Sequence, residues 1–471
     1  MAAKFGTSGL RGLVAELSDD VCASYTQAFL KVIGHGGTVM IGRDLRPSSP
    51  RISAAVADAA LAMECRVLDC GEVPTPALAL AAISAGAPSI MITGSHIPAD
   101  RNGLKFFGRT GEITKTDEAA ILAKLSKADP AVRACAKDAP AARADYARRY
   151  ILAYGGALQG LRIGLYQHSS VARDLLAEVL ETLGSTVTPL GRSDTFVPVD
   201  TEAVSDATQK MLADWAAEGG FDAIVSTDGD ADRPLLTDAA GRLIPGDMIG
   251  TLTALSFGAR SIVTPISSNT LIETSGHFRD TLRTRIGSPY VIAGMATLMA
   301  EPEARVAGFE ANGGFLLGFE AAGPAGPIAP LLTRDAFLPI IATLGLAKAR
   351  GLSIAGLTAT LPARATASDR LAEVPTGWSQ GLLAELSASQ AARAKVFARS
   401  HESHVDHTDG LRITFADGAI LHLRPSGNAP ELRCYAEADT AELAAALVRE
   451  TLARIRGMKS MGEAPAQEAP E

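Results

Sequence analysis

Short runs of β-branched and aliphatic residues alternate with alanine- and leucine-rich stretches along most of this chain, and that alternation narrows its fold more than any other feature. "GTVMIGRD" (37–44), "RVLDCG" (66–71) and "PSIMIT" (88–93) have the length and composition of buried strands ending in turns. Between them, "SSPRISAAVADAALAME" and "PTPALALAAISAG" open on Ser or Pro and continue in strong helix formers. Strands separated by helices predict an α/β layer fold. The pattern restarts at "LRIGLYQHSS" (161–170), continues through "FDAIVSTDGDAD" (221–232), and recurs at "SIVTPISSNTLIE" (261–273) and "ARVAGFEANGG" (304–314).

The last hundred residues differ. A helical, alanine-rich piece (379–400) precedes "GLRITFADGAILHLRPSGNAPELRCYAEA", two alternating strand patterns joined by an Asp-Gly turn, and then a helix (440–456). This predicts a small α+β domain. At 471 residues the chain exceeds one ordinary core. With breaks near 130–146, 245–255 and 360–370, the expected division is 1–144, 145–248, 249–362 and 363–458, followed by a disordered tail at 459–471.

Charge and cysteine usage exclude several classes of partner. The formal net charge of −8 offers no global positive field, which argues against nucleic acid or an anionic membrane. No run approaches the ~18 apolar residues of a spanning helix, and "MAAKFGTSGLRG" lacks the apolar core of a secretory signal. Cys22, Cys65, Cys70, Cys135 and Cys434 are scattered without a CxxC pair, as free thiols in a reducing cytoplasm would be. A soluble cytoplasmic chain is expected.

Four loops carry the chemistry. "MITGSHIPADRNGLKFF" (91–107) sets Ser95, His96, Asn102, Gly103 and Lys105 together after a strand. Neighbouring residues seldom face each other, so a hydrolase-type Ser–His pair explains this poorly. "FDAIVSTDGDADRPLLTD" places Asp228, Asp230 and Asp232 at alternate positions. Three hard oxygen ligands at that spacing can close around Mg²⁺ or Ca²⁺. An EF-hand is excluded, because its sixth position would be Arg233 instead of Gly and its twelfth Ala239 instead of Glu. A solvated acidic turn is the rival reading, but three unpaired carboxylates repel one another. Mg²⁺ shares its coordination sphere readily with phosphate oxygens, so a phosphate is expected to join the aspartates, with Arg233 beside them. "LHLRPSGNAPELRCYAEA" carries Arg424, Ser426, Gly427, Asn428 and Arg433 in a turn that suits an anion cradle or equally an ordinary polar hairpin. "AGFEANGGF" (307–315) offers Glu310 and Asn312, a pair suited to vicinal sugar hydroxyls, although a plain turn fits it as well. His401, His404 and His407 recur every third residue beside Asp406; a solvated loop before the hairpin explains them better than zinc, since no cysteine partner accompanies them.

Taken in order, "FGTSGLRG", "TGSHIPADRNGLKF", "DGDADR", "GFEANGG" and "RPSGNAPELRCYAEA" resemble the α-D-phosphohexomutase superfamily, the phosphomannomutase/phosphoglucomutase group. The motifs run from residue 5 to residue 438, so the likeness spans the chain. It implies four domains around a central cleft: three related α/β domains with mixed sheets and a smaller C-terminal α+β domain. It also implies that Ser95 is carried as phosphoserine, and that Asp228, Asp230 and Asp232 hold one Mg²⁺ together with a phosphate oxygen on Ser95. Arg424, Ser426, Gly427, Asn428 and Arg433 would grip the non-reacting phosphate, and Glu310 and Asn312 the sugar hydroxyls. Arg11, His96, Lys105 and Arg233 would surround the transferring phosphoryl group.

The implied reaction interconverts hexose 6-phosphate and hexose 1-phosphate through a hexose 1,6-bisphosphate. Its partners would be small sugar phosphates, with the chain as monomer or homodimer and with neither nucleic acid nor membrane involved. Mannose is the favoured sugar, with glucose or glucosamine phosphates as alternatives. A metal-dependent sugar-phosphate phosphatase on the same loops, or an inactive sensor, is the rival of another class. Four departures from the family pattern stand out: Gly94 and Ile97 in the serine loop, Asn312 and Gly314 in the sugar loop where Ser and His are usual, Ser288 near the place of a cleft histidine, and Asn428–Ala429 for Thr-Glu. The missing loop histidine bears on sugar preference, and Ser288 on a phosphate contact.

Overall fold

Among the described residues, three mixed sheets, one five-stranded antiparallel sheet and a two-stranded antiparallel ribbon carry the fold. The computed structural model describes residues 3–6, 9–128, 136–139, 141–426 and 430–460; Cys135 and the expected tail beyond 460 lie outside them. One compact unit holds residues up to Thr264 with 277–282 and 287–360, and a second holds 265–276, 283–286 and the chain from Leu361.

In the first unit, the N-terminal sheet has eight strands. Its centre is parallel: Thr38–Arg43 lies between Arg66–Glu72 and Ser89–Ile92. Strand Ser89–Ile92 is buried throughout, as a continuous apolar run in a parallel sheet requires. Arg101–Gly108 returns antiparallel beside it, followed by Leu10–Leu13 and Lys4–Phe5. Helix Asp19–Ile33 starts where Ser18 Oγ accepts the Val21 N–H, with Asp19 and Asp20 in its first turn. Together with Ser49–Leu61 it covers a core that includes Phe29, Val39, Ile52, Val56, Ile90 and Leu104.

The same device is built twice more. In the second sheet, Arg162–His168 lies between the parallel strands Thr186–Arg192 and Ala223–Thr227, and Pro234–Leu236 returns antiparallel. In the third, Ser261–Pro265 runs parallel to Val306–Phe309, which is followed by the antiparallel strands Phe315–Leu317 and Leu331–Asp335. Each sheet thus has a parallel strand, a loop at its C-terminal end, and an antiparallel return. Those loops are 93–100, 228–233 and 310–314. Strand ends of this kind are where α/β sheets place ligands.

Helix Ala141–Tyr154 ties the N-terminal part of the unit to the third sheet. Tyr146 and Tyr150 hydroxyls donate to Asp335 at 2.7 and 2.5 Å, and Asp335 also accepts the N–H groups of Phe337 and Leu338. Across residues 245–255, where the sequence suggests a break, the chain forms a helix, Gly246–Ser256.

The second unit is a five-stranded antiparallel sheet, ordered Ala365–Leu371, Leu432–Ala438, Ile420–Pro425, Leu411–Phe415, Glu402–Asp406. Helices Thr376–Ala388, Gln390–Phe397 and Ala441–Ser460 accompany it. Within the histidine stretch expected as a loop, Glu402–Asp406 is an edge strand that carries His404, while His401 and His407 flank it in irregular backbone. Residues 402–406 pair on one side with 411–415, and His404 remains exposed. Among the described residues, no helix is long and apolar enough to cross a membrane, and Cys22, Cys65, Cys70 and Cys434 are free and buried.

Candidate active site

Ser95 sits fully buried at the end of its strand with φ +55°. That is a left-handed conformation which a non-glycine residue holds only under constraint. Its N–H donates to Thr93 Oγ1 at 2.7 Å, and its Oγ donates to Asp228 Oδ2 at 2.5 Å. The two loops that the sequence set 133 positions apart share one hydrogen bond.

The acidic loop turns on Ala231 (φ +60°) and folds back on itself. Asp228 Oδ1 accepts the N–H groups of Asp232 and Arg233 at 3.1 and 3.2 Å. The three carboxylates offer ligand atoms within 4.8 Å of one another, the one such trio among the described residues. Lys105 Nζ lies 2.5 Å from both Asp230 Oδ2 and Asp232 Oδ2. Thr75, at the start of helix Thr75–Ser84, gives its hydroxyl to Asp230 Oδ2 at 2.6 Å and its N–H to the Asp230 carbonyl. The second oxygens, Asp230 Oδ1 and Asp232 Oδ1, are buried with no hydrogen-bond partner. Two orphaned carboxylate oxygens beside a third carboxylate fit a hard divalent cation such as Mg²⁺.

The charges respond to one another. Burial, then Asp230 and Asp232, push the Asp228 carboxyl well above its usual range. Burial and Asp232 act in the same direction on Asp230, but Lys105 and Thr75 outweigh them and hold it low. For Asp232, burial is outweighed by Arg334, Lys105 and Arg233. Burial, Arg233 and Arg11 keep His96 well below the ordinary imidazole value, so it is neutral at pH 7. His96 Nδ1 is 3.5 Å from Ser95 Oγ and its Nε2 is 3.9 Å from Asp200. Arg233 Nε lies 3.8 Å from Asp232, and its NH1 is 4.0 Å from Asp200. Arg11, on Leu10–Leu13, has its pKa lowered to about 10 by burial, Arg233 and Arg334, and it stays charged at pH 7.

The third loop enters through a residue that no local pattern marks. Arg334, on Leu331–Asp335, is 3% exposed; its NH1 donates to Glu310 Oε2 at 2.9 Å and its NH2 to Asp232 Oδ2 at 2.7 Å. One guanidinium therefore joins the sugar loop to the acidic loop. Asn312 Oδ1 accepts the Gly314 N–H at 3.0 Å, so that amide shapes its own turn.

In the second unit, Arg424 Nε pairs with Asp409 at 2.8 Å, Arg433 Nε lies 3.8 Å from Glu431, and the Ser426 N–H donates to the Glu431 carbonyl. Gly427 and Asn428 lie outside the described residues.

Sequence models described as phosphoglucomutase/phosphomannomutase alpha/beta/alpha domain I, alpha/beta/alpha domain II and C-terminal domain match residues 2–131, 151–241 and 373–454. The chain is 50% identical to a phosphomannomutase of Sinorhizobium fredii, with 96% of this chain and 98% of that one aligned. The chain belongs to the phosphoglucomutase/phosphomannomutase family. A phosphomannomutase of Salmonella muenchen is 45% identical over 96% of this chain and 95% of its own length. Among solved structures, one described as a putative phosphomannomutase from Thermus thermophilus superposes with a TM-score of 0.75 at 22% identity, covering 98% of this chain and 99% of that one.

Two departures from the family pattern now have physical reasons, and a third residue has a partner. A Cβ on Gly94 would stand 2.5 Å from the Arg46 guanidinium, so alanine does not fit there. A side chain on Gly314 would meet Arg334 Cδ at 2.8 Å and the Asp232 carbonyl at 2.9 Å. Arg334 and the Asp232 backbone thus crowd any side chain placed at this position. Ser288 Oγ donates to Glu112 at 2.6 Å, so its hydroxyl is engaged within the protein.

Proposed function

We propose that this protein is a phosphohexomutase that interconverts hexose 6-phosphate and hexose 1-phosphate, with mannose as the preferred sugar, by way of phosphoSer95 and a hexose 1,6-bisphosphate. The observation that carries the reading is the 2.5 Å contact of Ser95 Oγ with the first of three clustered aspartates. The choice of mannose is supported by the two phosphomannomutases that align along nearly their whole length.

Phosphoryl transfer asks a protein mainly for positioning and for neutralisation of the oxygens around phosphorus. In this reading the bond from phosphorus to Ser95 Oγ breaks while a bond forms to a hydroxyl of the bound sugar phosphate, whose proton leaves for a neighbouring base. The bisphosphate then returns its other phosphoryl group to Ser95. Asp228, Asp230 and Asp232 would hold Mg²⁺, which when bound supplies positive charge beside the phosphate on Ser95. Arg11, Lys105 and Arg233 supply further positive charge. His96, held neutral, can take or give a proton. Glu310, aimed by Arg334, and Asn312 would meet sugar hydroxyls. Arg424, Ser426, Gly427, Asn428 and Arg433 would grip the phosphate that is not reacting. We assign one loop to each of the segments 1–144, 145–248, 249–362 and 363–458, and take the protein to act in the cytoplasm as a monomer or homodimer.

Intact-mass measurement tests the carrier. Freshly purified protein is expected to show an added ~80 Da, one phosphate, that Ser95→Ala removes together with isomerase activity. Full activity in Ser95→Ala overturns the mechanism. Release of inorganic phosphate in place of isomer exchange would identify a phosphatase. Mannose, glucose and glucosamine 1-phosphates assayed side by side test the sugar, and a strong glucosamine preference overturns the choice of mannose.

A further inference from the structure

Arg46 lies outside the reacting groups yet holds the backbone that carries Ser95. It follows strand Thr38–Arg43 and is 1% exposed. All five of its guanidinium N–H donors are placed. Nε donates to Asp44 Oδ2 at 3.2 Å, NH1 to the carbonyls of Pro98 and Arg101 at 2.7 and 2.8 Å, and NH2 to the carbonyls of Ser95 and Ile97 at 2.8 and 2.5 Å. The Phe196 ring stacks on its other side, 4.1 Å from Cζ. Four carbonyls within residues 95–101, three from the loop and one from the first residue of the returning strand, thus converge on a single fork. Lysine, with three donors on a point charge, cannot reproduce that geometry.

The partner carboxylate completes the grip. Asp44 Oδ2 also accepts Thr93 Oγ1 at 2.7 Å, and Thr93 Oγ1 in turn accepts the Ser95 N–H. Asp44 Oδ1 accepts Ser49 Oγ at 2.6 Å and the Arg46 N–H at 3.1 Å. Ser95 is therefore held at both its N–H and its C=O by one connected pair, Asp44 and Arg46. Gripping both ends supports the left-handed φ of +55° and the aim of Oγ at Asp228.

We infer that Arg46 is a positioning residue for phosphoryl transfer: it fixes the serine loop in the strained conformation that points Oγ at the aspartates, without itself touching substrate. This rests on the reading of Ser95 as the carrier. A carrier oxygen displaced by about 1 Å loses on the order of 10²-fold in rate while ground-state binding is little changed.

The test compares Arg46→Ala, Arg46→Lys and Ser95→Ala in the full-length protein, with kcat and KM read separately and with millimolar guanidinium added. Arg46→Ala is expected to lower kcat about 10²-fold with KM within about threefold, guanidinium to restore about tenfold or more, and Arg46→Lys to remain impaired. A folded Arg46→Ala that keeps kcat within about threefold, loses only KM, or gains nothing from guanidinium overturns the inference. Should Arg46→Ala fail to fold, Thr93→Val decides, because it removes the acceptor of the Ser95 N–H. A fall in kcat of about tenfold at unchanged KM supports the role, and an unchanged kcat refutes it. Activity that survives Ser95→Ala overturns the carrier reading itself, a separate result from an Arg46 variant that stays active while Ser95→Ala is dead.

Discussion

Replacing Arg334 by Met would strip one guanidinium from two buried carboxylates. Glu310 and Asp232 are 4% and 1% exposed. Asp232 keeps Lys105 at 2.5 Å, whereas Glu310 loses the cation that meets its Oε2 at 2.9 Å. Breaking one side of a buried ion pair costs about 3–5 kcal/mol, because the remaining charge stays desolvated. With an unfolding entropy near 2.1 cal/mol/K per residue, a unit of this size moves roughly 1.4 °C per kcal/mol, so its melting midpoint should fall by about 4–7 °C. The chain has two tryptophans, Trp215 in the first unit and Trp378 in the second. A Trp378→Phe background therefore leaves Trp215, 5.3 Å from the Tyr166 ring, to report the first unit alone. Glu310→Leu removes the stranded charge, so the double variant should be less destabilised than the sum of the singles by about 2 kcal/mol. A fall below about 1.5 °C for Arg334→Met, or single losses that add to within ~0.5 kcal/mol, would refute the bridge.

Three further outcomes are expected. Gly314→His, which restores the family's usual residue, should cost about 1–3 kcal/mol by crowding Arg334 and the Asp232 carbonyl, and the Trp215 melt reads it; an unshifted melt would show that the loop has room. Burial pushes the His422 imidazole down to about 4 while its Nε2–H donates to the Asp409 carbonyl. An unfolded histidine titrates near 6.5, so below that pH the unfolded chain binds the proton first; about 2 kcal/mol of stability should be lost by about pH 5. Urea midpoints read from Trp378 in a Trp215→Phe background test this, and His422→Gln should flatten the decline. Chelating divalent ions should abolish activity and lower the first unit's midpoint. Mg²⁺ at about 100 times its Kd should add roughly 2.7 kcal/mol, and Asp232→Asn should remove most of that gain.

The central strands were legible where their apolar, β-branched runs are buried on both faces: "PSIMIT" predicts what Ser89–Ile92 does. The acidic loop was legible because alternate carboxylates after a strand have few uses other than a cation. Residues brought in from far along the chain were not. Thr75 and Arg334 reach the acidic loop from 155 and 102 positions away, and nothing in "PTPALAL" or "LLTRDAF" separates them from an ordinary helix start or strand end. Arg46 was hidden for another reason. In "GRDLRP" an Asp and an Arg two apart carry no mark of burial, and only the structure shows that all five donors turn inward. The histidine stretch misled at residues 402–406, because polar residues can also form a strand at a sheet's edge, where one side pairs and the other meets water.

The Asp335 tie has a consequence for cutting this chain into parts. Its carboxylate takes two hydroxyls from helix Ala141–Tyr154 and two N–H groups from the residues just after it. A fragment begun near residue 249 would keep the acceptor and discard both tyrosines, leaving a buried carboxylate half solvated inside a protein wall. The seams along which this polypeptide can be excised, permuted or recombined therefore differ from the rhythm of its strands and helices. Residues 141–154 have to travel with 331–338, however far apart the gene writes them.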